Sequence, residues 1–260
     1  MKNFYSGISS GFLCSASILV SFFVTGQLYA SGCETVDKYH IANGLSVDKK
    51  LLSQVSVEIA SCDNVSVHDG YVGFILNEKK DVIHSGIRSE VSIDFPFSEG
   101  ETVEYRWSIM LPKNDFAGAK INRGEWWIIG QWHDQPDPYL GETWSTYKAS
   151  PPPVAVYIET RNGVLGIGLQ TMRNKVFKKH NWVPIPLDVW INLDVTIHWS
   201  QAELGFVSLR IDKEAQHDVI SLGSNMLNNY QHYLKLGQYR SPRFEKKSVI
   251  YIKDVQINQR

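Results

Sequence analysis

Three short stretches place side chains of catalytic type on strand faces. "RSEV" holds Arg88 and Glu90, "QWH" holds Gln131 and His133, and "YLKLGQYR" holds Lys235 and Tyr239. Side chains alternate across a strand, so residues two or four apart point the same way, about 6.5–7 Å for each step of two. An imidazole with an unperturbed pKa near ~6.5 suits proton transfer, as does a phenol. Arginine, glutamine and lysine supply donors for an anionic group. Each pair alone is a common surface arrangement, the Arg–Glu pair usually a cross-strand ion pair. Three in one chain are far more specific, provided the fold brings their strands together.

The pattern around them is that of an all-β protein. "IRSEVSIDF" sets Ile87, Val91, Ile93 and Phe95 on one face, with Ser89 among them, and Arg88, Glu90, Ser92 and Asp94 on the other. "VEYRWSIML" aligns Val103, Tyr105, Trp107, Ile109 and Leu111. "VWINLDVTIHWS" sets Val189, Ile191, Leu193, Val195 and Ile197 against Asn192, Asp194, Thr196 and His198. "EWWIIGQWH", "FVSLRID", "YLKLGQYR" and "VIYIKDVQI" add further strands, and "RNG" between "VAVYIET" and "VLGIGLQ" is a hairpin signal. Only short stretches such as "SNMLNNYQHY" read as helical. Many strands with one apolar and one polar face require two stacked antiparallel sheets, a jelly-roll sandwich of the concanavalin-like kind, with a closed barrel as the alternative.

Residues 1–30 read as a secretory signal peptide: Lys2, the apolar run "GFLCSASILVSFFV" and cleavage after Ala30. That run is too short for a comfortable membrane span. "ASGC" loosely resembles a lipoprotein box ending at Cys33. Residues 31–260 form one domain, without repeats or linkers, expected as a secreted or periplasmic monomer. The remaining 25 basic and 27 acidic groups give −2, which argues against a nucleic-acid binder. Segments 161–187 and 235–260 are basic and could focus positive potential on one cleft. Cys33 and Cys62 are an even pair in an oxidising compartment, where a disulfide is the default reading. Its loop of about 29 residues gives roughly 3–4 kcal/mol in the chain-entropy model.

The three stretches together resemble the jelly-roll polysaccharide lyases, which use an R-S/T-E strand, a Q-x-H strand and a carboxyl-terminal K-x-G-x-Y strand. "QWH" and "LKLGQYR" are most similar to the heparin lyase I-like and glucuronan lyase branch. Leu234, Leu236 and Ser241 depart from the related alginate lyase pattern. The resemblance implies β-elimination at a glycosidic bond to a uronic acid, on an anionic polysaccharide and without a cofactor. Arg88 and Gln131 would hydrogen-bond the uronate carboxylate and stabilise the developing dianion. His133 would remove the α proton, and Tyr239 would protonate the departing oxygen or perform both transfers. Lys235 would favour the phenolate or bind a substrate carboxylate. Glu90, Tyr233, Trp144 and Arg240 complete the expected substrate-binding set, with Trp182 a further subsite candidate.

Other features carry less. Asp134 and Asp137 in "HDQPDP" are a weak calcium pair without a Gly-spaced loop. His198 is a second groove histidine or, more commonly, a solvated one. "GISSG" at residues 7–11 matches a nucleophile-elbow pattern but sits in the signal peptide without its strand and helix. A non-catalytic lectin-like sandwich is the competing function. A retaining hydrolase would need two carboxylates about 5–5.5 Å apart, and no E-x-D-x-x-E spacing supplies them.

Overall fold

The computed structural model describes residues 37–260 apart from 78–81, 84–85, 122–124, 149, 213–216 and 245. The expected signal peptide and Cys33 lie outside the described residues. Cys62 is disulfide-bonded. In chain order the strands are β1 (Val55–Ile59), β2 (Val65–His68), β3 (Tyr71–Leu76), β4 (Val82–Ile83), β5 (Gly86–Ile93), β6 (Thr102–Met110), β7 (Trp127–His133) and β8 (Val154–Arg161). They continue with β9 (Val164–Arg173), β10 (Val176–Pro184), β11 (Ile191–His198), β12 (Phe206–Asp212), β13 (His217–Leu222), β14 (Tyr233–Arg240) and β15 (Ser248–Gln259).

Two antiparallel sheets result. One runs β1-β5-β14-β7-β8-β9-β10, with β4 on β5; the other runs β13-β12-β11-β6-β15-β3-β2. Both have open edges, so the architecture is the sandwich and not the barrel. The alternating apolar residues of both sheets meet between them: Val91 and Ile93 from β5, Tyr105, Trp107 and Ile109 from β6, Val156 from β8 and Leu193 from β11 are all essentially buried. Trp132 fills the middle, edge-on to Tyr105 at 5.1 Å and tilted against Trp107 at 6.3 Å. It faces away from His133, as alternation requires. The Asn162-Gly163 turn joining β8 to β9 has both residues at positive φ (51° and 78°), the conformation that type I′ hairpins need.

Helix is scarce. The first helix spans Lys38–Gly44, N-capped by Asp37, whose side chain accepts from the His40 N–H at 2.7 Å. Among the described residues no helix is long and apolar enough to cross a membrane. The helical expectation for "SNMLNNYQHY" is not met: residues 224–232 form bends and irregular chain, and Tyr233 already opens β14. Its asparagines serve other backbone groups instead. Asn225 Nδ2 donates to the carbonyls of His198 and Phe206, and Asn228 Nδ2 to that of Gln135.

The consequence for function is the order β5-β14-β7. These are the strands of the three motifs, and they lie side by side. Arg88 pairs with Tyr239, Ser92 with Lys235 and Glu90 with Gly237; across the other edge of β14, Lys235 pairs with Gln131 and Tyr233 with His133. Gly237 explains the glycine of the third motif. Its φ is +138°, and a Cβ there would stand 2.2 Å from the Ser89 carbonyl oxygen and 2.8 Å from the Glu90 Cα. β14 can press against β5 only without a side chain at that point.

Candidate active site

The polar face of the first sheet, the expected substrate groove, has at its centre a continuous relay of contacts. Gln131 is fully buried; its Nε2 donates to Glu90 Oε1 at 2.6 Å, and its Oε1 lies 3.2 Å from His133 Nε2. With the amide nitrogen committed to Glu90, the amide oxygen accepts from His133, which puts the imidazole proton on Nε2 and leaves the lone pair on Nδ1. Burial holds His133 well below the ordinary histidine range, helped by the positive charges of Lys235 and Arg88. It is therefore neutral at pH 7 and competent to accept a proton. Tyr233 stacks on it, ring centroids 6.0 Å apart. The opening pairs thus share a face as alternation demands.

Glu90 has a different position from the one expected of a substrate-binding residue. It is fully buried beneath Gln131, with Arg88 Nε 3.2 Å from its Oε2. Burial raises its carboxyl above the usual range against the pull of Arg88 and Lys235. No surface of it reaches the groove. Its work is to orient the Gln131 amide and the Arg88 guanidinium.

Sequence reading missed Glu58. It sits on β1, the edge strand, directly across from Glu90. Its carboxylate bridges the two central cations: Arg88 Nη1 lies 2.7 Å from Oε2 and Lys235 Nζ 2.6 Å from Oε1, with the Ser92 hydroxyl donating to Oε1 at 3.0 Å. Burial pushes the Glu58 carboxyl up, but Lys235 and Arg88 outweigh it and hold the group at about 2. Burial likewise lowers Lys235, and the Glu58 charge opposes this. We take Lys235 as charged at neutral pH, because its counter-ion is ionised at 2.6 Å and breaking such a contact would strand a buried carboxylate. The concentration of positive potential expected from the basic segments is therefore largely offset at the centre.

Tyr239 lies at the other end of the cluster. It faces Ile128 of β7, whereas His133 faces Tyr233, so Gln131 and Lys235 stand between the two proton-transfer candidates. Five steps along β7 separate the two positions, about 13–17 Å of backbone. Both side chains project from the same face, which lets them approach one bound sugar from two sides. The Arg88 guanidinium lies 4.2 Å over the Tyr239 ring. The ring packs beside Trp126, at 6.1 Å, and occupies the space above Gly86, where a Cβ would meet it at 1.9 Å. Its hydroxyl makes no hydrogen bond with any described residue.

Tyr239 reaches this place through irregularities that alternation alone does not foretell. Three steps of β14, Leu236 to Tyr239, oppose two of β7, Gly130 to Ile128; those two oppose a single step of β8, Val156 to Tyr157. The bulges bend the sheet. They put Ile128 on the groove side, three residues from Gln131, packed with Ala155, Tyr157, Trp182 and Tyr239. Beyond it the groove wall is Tyr157 over Gly168 and Trp182 over Gly166. Trp182 Nε1 donates to the Glu159 carbonyl at 2.8 Å, so this subsite candidate is held on the groove face. Lys179 and Arg161 both pair with the Glu159 carboxylate. At the opposite end Trp144 stands 58% exposed, edge-on to Tyr233 at 6.2 Å.

Arg240, expected in the substrate-binding set, and the lesser candidates His198, Asp134 and Asp137 have other places or duties. Arg240 neighbours Tyr239 in sequence and therefore faces the other way. It is buried in the sandwich, with Nη1 donating to Ser248 Oγ at 3.0 Å and the guanidinium 4.9 Å over Trp127, so it cannot hold substrate. His198 belongs to β11 in the other sheet, with Nδ1 3.0 Å from Thr102 Oγ1. Asp134 and Asp137 have structural duties: Asp134 accepts from the Tyr147 hydroxyl, and Asp137 caps a short turn by accepting from the Tyr139 N–H at 2.8 Å.

The fold is shared with known proteins. The chain is similar in structure to an endo-β-1,4-glucuronan lyase from the fungus Trichoderma reesei, with a TM-score of 0.53 and 13% identity over 79% of this chain and 87% of that one. It is likewise similar to the marine PL-14 alginate lyase from Aplysia kurodai (TM-score 0.56, 10% identity, 79% and 90% covered). The family 7 alginate lyase A1-II′ gives 0.54 at 13% identity, with 76% and 82% covered. At these identities the likeness establishes the shared fold. A search of the curated proteins finds no match. A family profile described as polysaccharide lyase matches residues 32–256, nearly the whole chain, and the chain belongs to that family.

Proposed function

We propose that the protein cleaves a uronic-acid polysaccharide by β-elimination, with His133 and Tyr239 as the proton-transfer groups. One observation carries this reading: the three motif strands are adjacent, and their register gathers Arg88, Gln131, His133, Lys235 and Tyr239 on one groove face. The proton α to a uronate carboxylate is only weakly acidic while that carboxylate keeps its full charge. Hydrogen bonding to the developing dianion is then the largest available contribution. Glu90 occupies only one amide N–H of Gln131; Gln131 is itself fully buried, so its second N–H meets the carboxylate once the bound sugar displaces the side chains that cover it. Arg88 supplies positive charge beside it. Neutral His133, with its free Nδ1, takes the proton from the carbon, or Tyr239 does so as a phenolate. Tyr239 delivers a proton to the departing oxygen. One proton leaves carbon and one reaches oxygen, a double bond forms, and no water is consumed.

The names of the structural neighbours and the "QWH" and "LKLGQYR" strands support a glucuronan-type or alginate-type polyuronate, or a heparin-like one, as substrate. The expected signal peptide supports a location outside the cytoplasm, where such polymers are met. A panel of glucuronan, alginate, hyaluronan, heparin and heparan sulfate, followed by ultraviolet absorbance, tests the reading. Elimination creates a conjugated double bond that absorbs, and binding or hydrolysis creates none. Absorbance growing on at least one polyuronate is expected. Reducing its carboxylates to alcohols should abolish the signal, and undiminished cleavage of that neutral polymer would contradict the roles given to Arg88 and Gln131.

A further inference from the structure

Four cations have contacts that place them on the groove face, and each is bound by a carboxylate of the protein. Arg88 has Glu58 and Glu90, Lys235 has Glu58, and Lys179 and Arg161 share Glu159 at 2.5 and 3.4 Å. At the centre the anion is the outer member. The side chains of Arg88 and Lys235 are each 6% exposed and that of Glu58 is 22% exposed, so an incoming ligand meets the carboxylate together with the charges behind it. Arg88 and Lys235 are matched in number by Glu58 and Glu90, so the centre holds no surplus cation for a second anion. A sugar that also bears sulfate brings a second, permanently ionised group, which needs donors of its own and would stand close to Glu58 with like charge.

We propose that Glu58 is a specificity-determining residue that restricts the groove to unsulfated polyuronates by occupying the donors a sulfate would require. The proposal rests on the lyase reading for the kind of ligand and on the geometry of Glu58 for the restriction. Specificity here comes from a repulsive element built beside an attractive one. The residue is well placed for this. It stands on an edge strand, across from the buried Glu90, and contacts Arg88 and Lys235 without lying among the groups that would move protons.

The test compares affinities, so that it does not depend on turnover. Tyr239→Phe protein is titrated with the unsulfated polymer that the native enzyme binds best and with the same polymer chemically O-sulfated, at one fixed ionic strength. Sulfation should weaken binding at least about tenfold, and adding Glu58→Gln should shift the sulfated-to-unsulfated ratio by about tenfold or more toward the sulfated form. Glu58→Asp keeps the charge and should keep the parental ratio, and thermal melting confirms that each variant is folded. A ratio unmoved by Glu58→Gln would overturn the proposal, as would a parent protein that binds the sulfated polymer equally well. Failure of the lyase reading shows separately, as absence of ultraviolet-absorbing product from the native enzyme on every polymer of the panel, heparin and heparan sulfate included; product from those sulfated polymers alone would overturn the restriction and leave the lyase reading standing.

Discussion

Replacing Tyr239 with phenylalanine separates what its ring does from what its hydroxyl does. The ring carries the packing: the Arg88 guanidinium lies 4.2 Å over it, Trp126 stands 6.1 Å away, and it covers Gly86. Phenylalanine keeps each of these contacts, though with a slightly different charge distribution. The hydroxyl, partnerless among the described residues, leaves no buried polar group stranded when it goes. Stability should therefore change by no more than about 0.5 kcal/mol. Turnover should fall by about 10²–10⁴, the usual worth of a positioned general acid or base, equal to roughly 3–5 kcal/mol of transition-state stabilisation. Substrate affinity should change little, so the loss should appear in kcat more than in KM. The assay is initial rate by product absorbance, with affinity from titration and stability from urea unfolding. His133→Ala should cost as much if the histidine is the base and less if Tyr239 makes both transfers. A double variant no slower than either single one would show that the two act as a unit. Near-normal turnover by Tyr239→Phe would refute the assignment, and the lectin reading would regain ground.

Further consequences follow from the packing. His232 is buried, with Nε2 accepting from the Leu227 N–H at 3.2 Å and Nδ1 3.0 Å from the Tyr230 carbonyl, and burial lowers it to about 4. The unfolded imidazole takes its proton near 6.5 and the folded one only near 4. The stability it contributes is thus present above pH 6.5 and lost as pH falls toward 4, by at most about 3 kcal/mol. The slope of unfolding free energy over that window should be shallower in His232→Gln, and an unchanged slope would show that His232 is not its source. Gly237→Ala should destabilise the fold by about 3 kcal/mol or more, since a Cβ has 2.2 Å to the Ser89 oxygen at a φ of +138°. A variant that melts with the native protein would disprove the close approach. Cys33→Ser should expose one alkylatable thiol, at Cys62, in protein recovered from an oxidising compartment. Peptide mapping that finds Cys62 still blocked would exclude the expected pairing.

The sandwich was legible because its signal is local and repeated: alternation on β5, β6 and β11 assigns each residue its face without knowledge of the neighbours. That the residues of each candidate pair share a face was legible for the same reason. Glu58 was not. Its partner Arg88 lies 30 residues away, and nothing in "VSVEI" distinguishes a groove carboxylate from a solvated one until β1 is seen to pair with β5. Glu90 was found, but burial decides between binding substrate and orienting Gln131, and burial depends on β1 and β14 together. Arg240 was misplaced by following a motif past the limit of its own periodicity; one residue from Tyr239, it had to face the core. Ile128 shows the opposite failure, since a bulge shifts alternation by one and only the glycine at 130 hints at it.

Elimination and hydrolysis differ by one molecule of water, and that difference tests the central claim most directly. A defined oligosaccharide from the best polymer of the panel, digested to completion, should give fragments whose masses sum to that of the parent. One fragment of each cleavage should carry the unsaturated uronate. Fragment masses summing to the parent plus one water for each bond broken would show hydrolysis. They would contradict an active site built from Arg88, Gln131, His133 and Tyr239 to move a proton from carbon to oxygen.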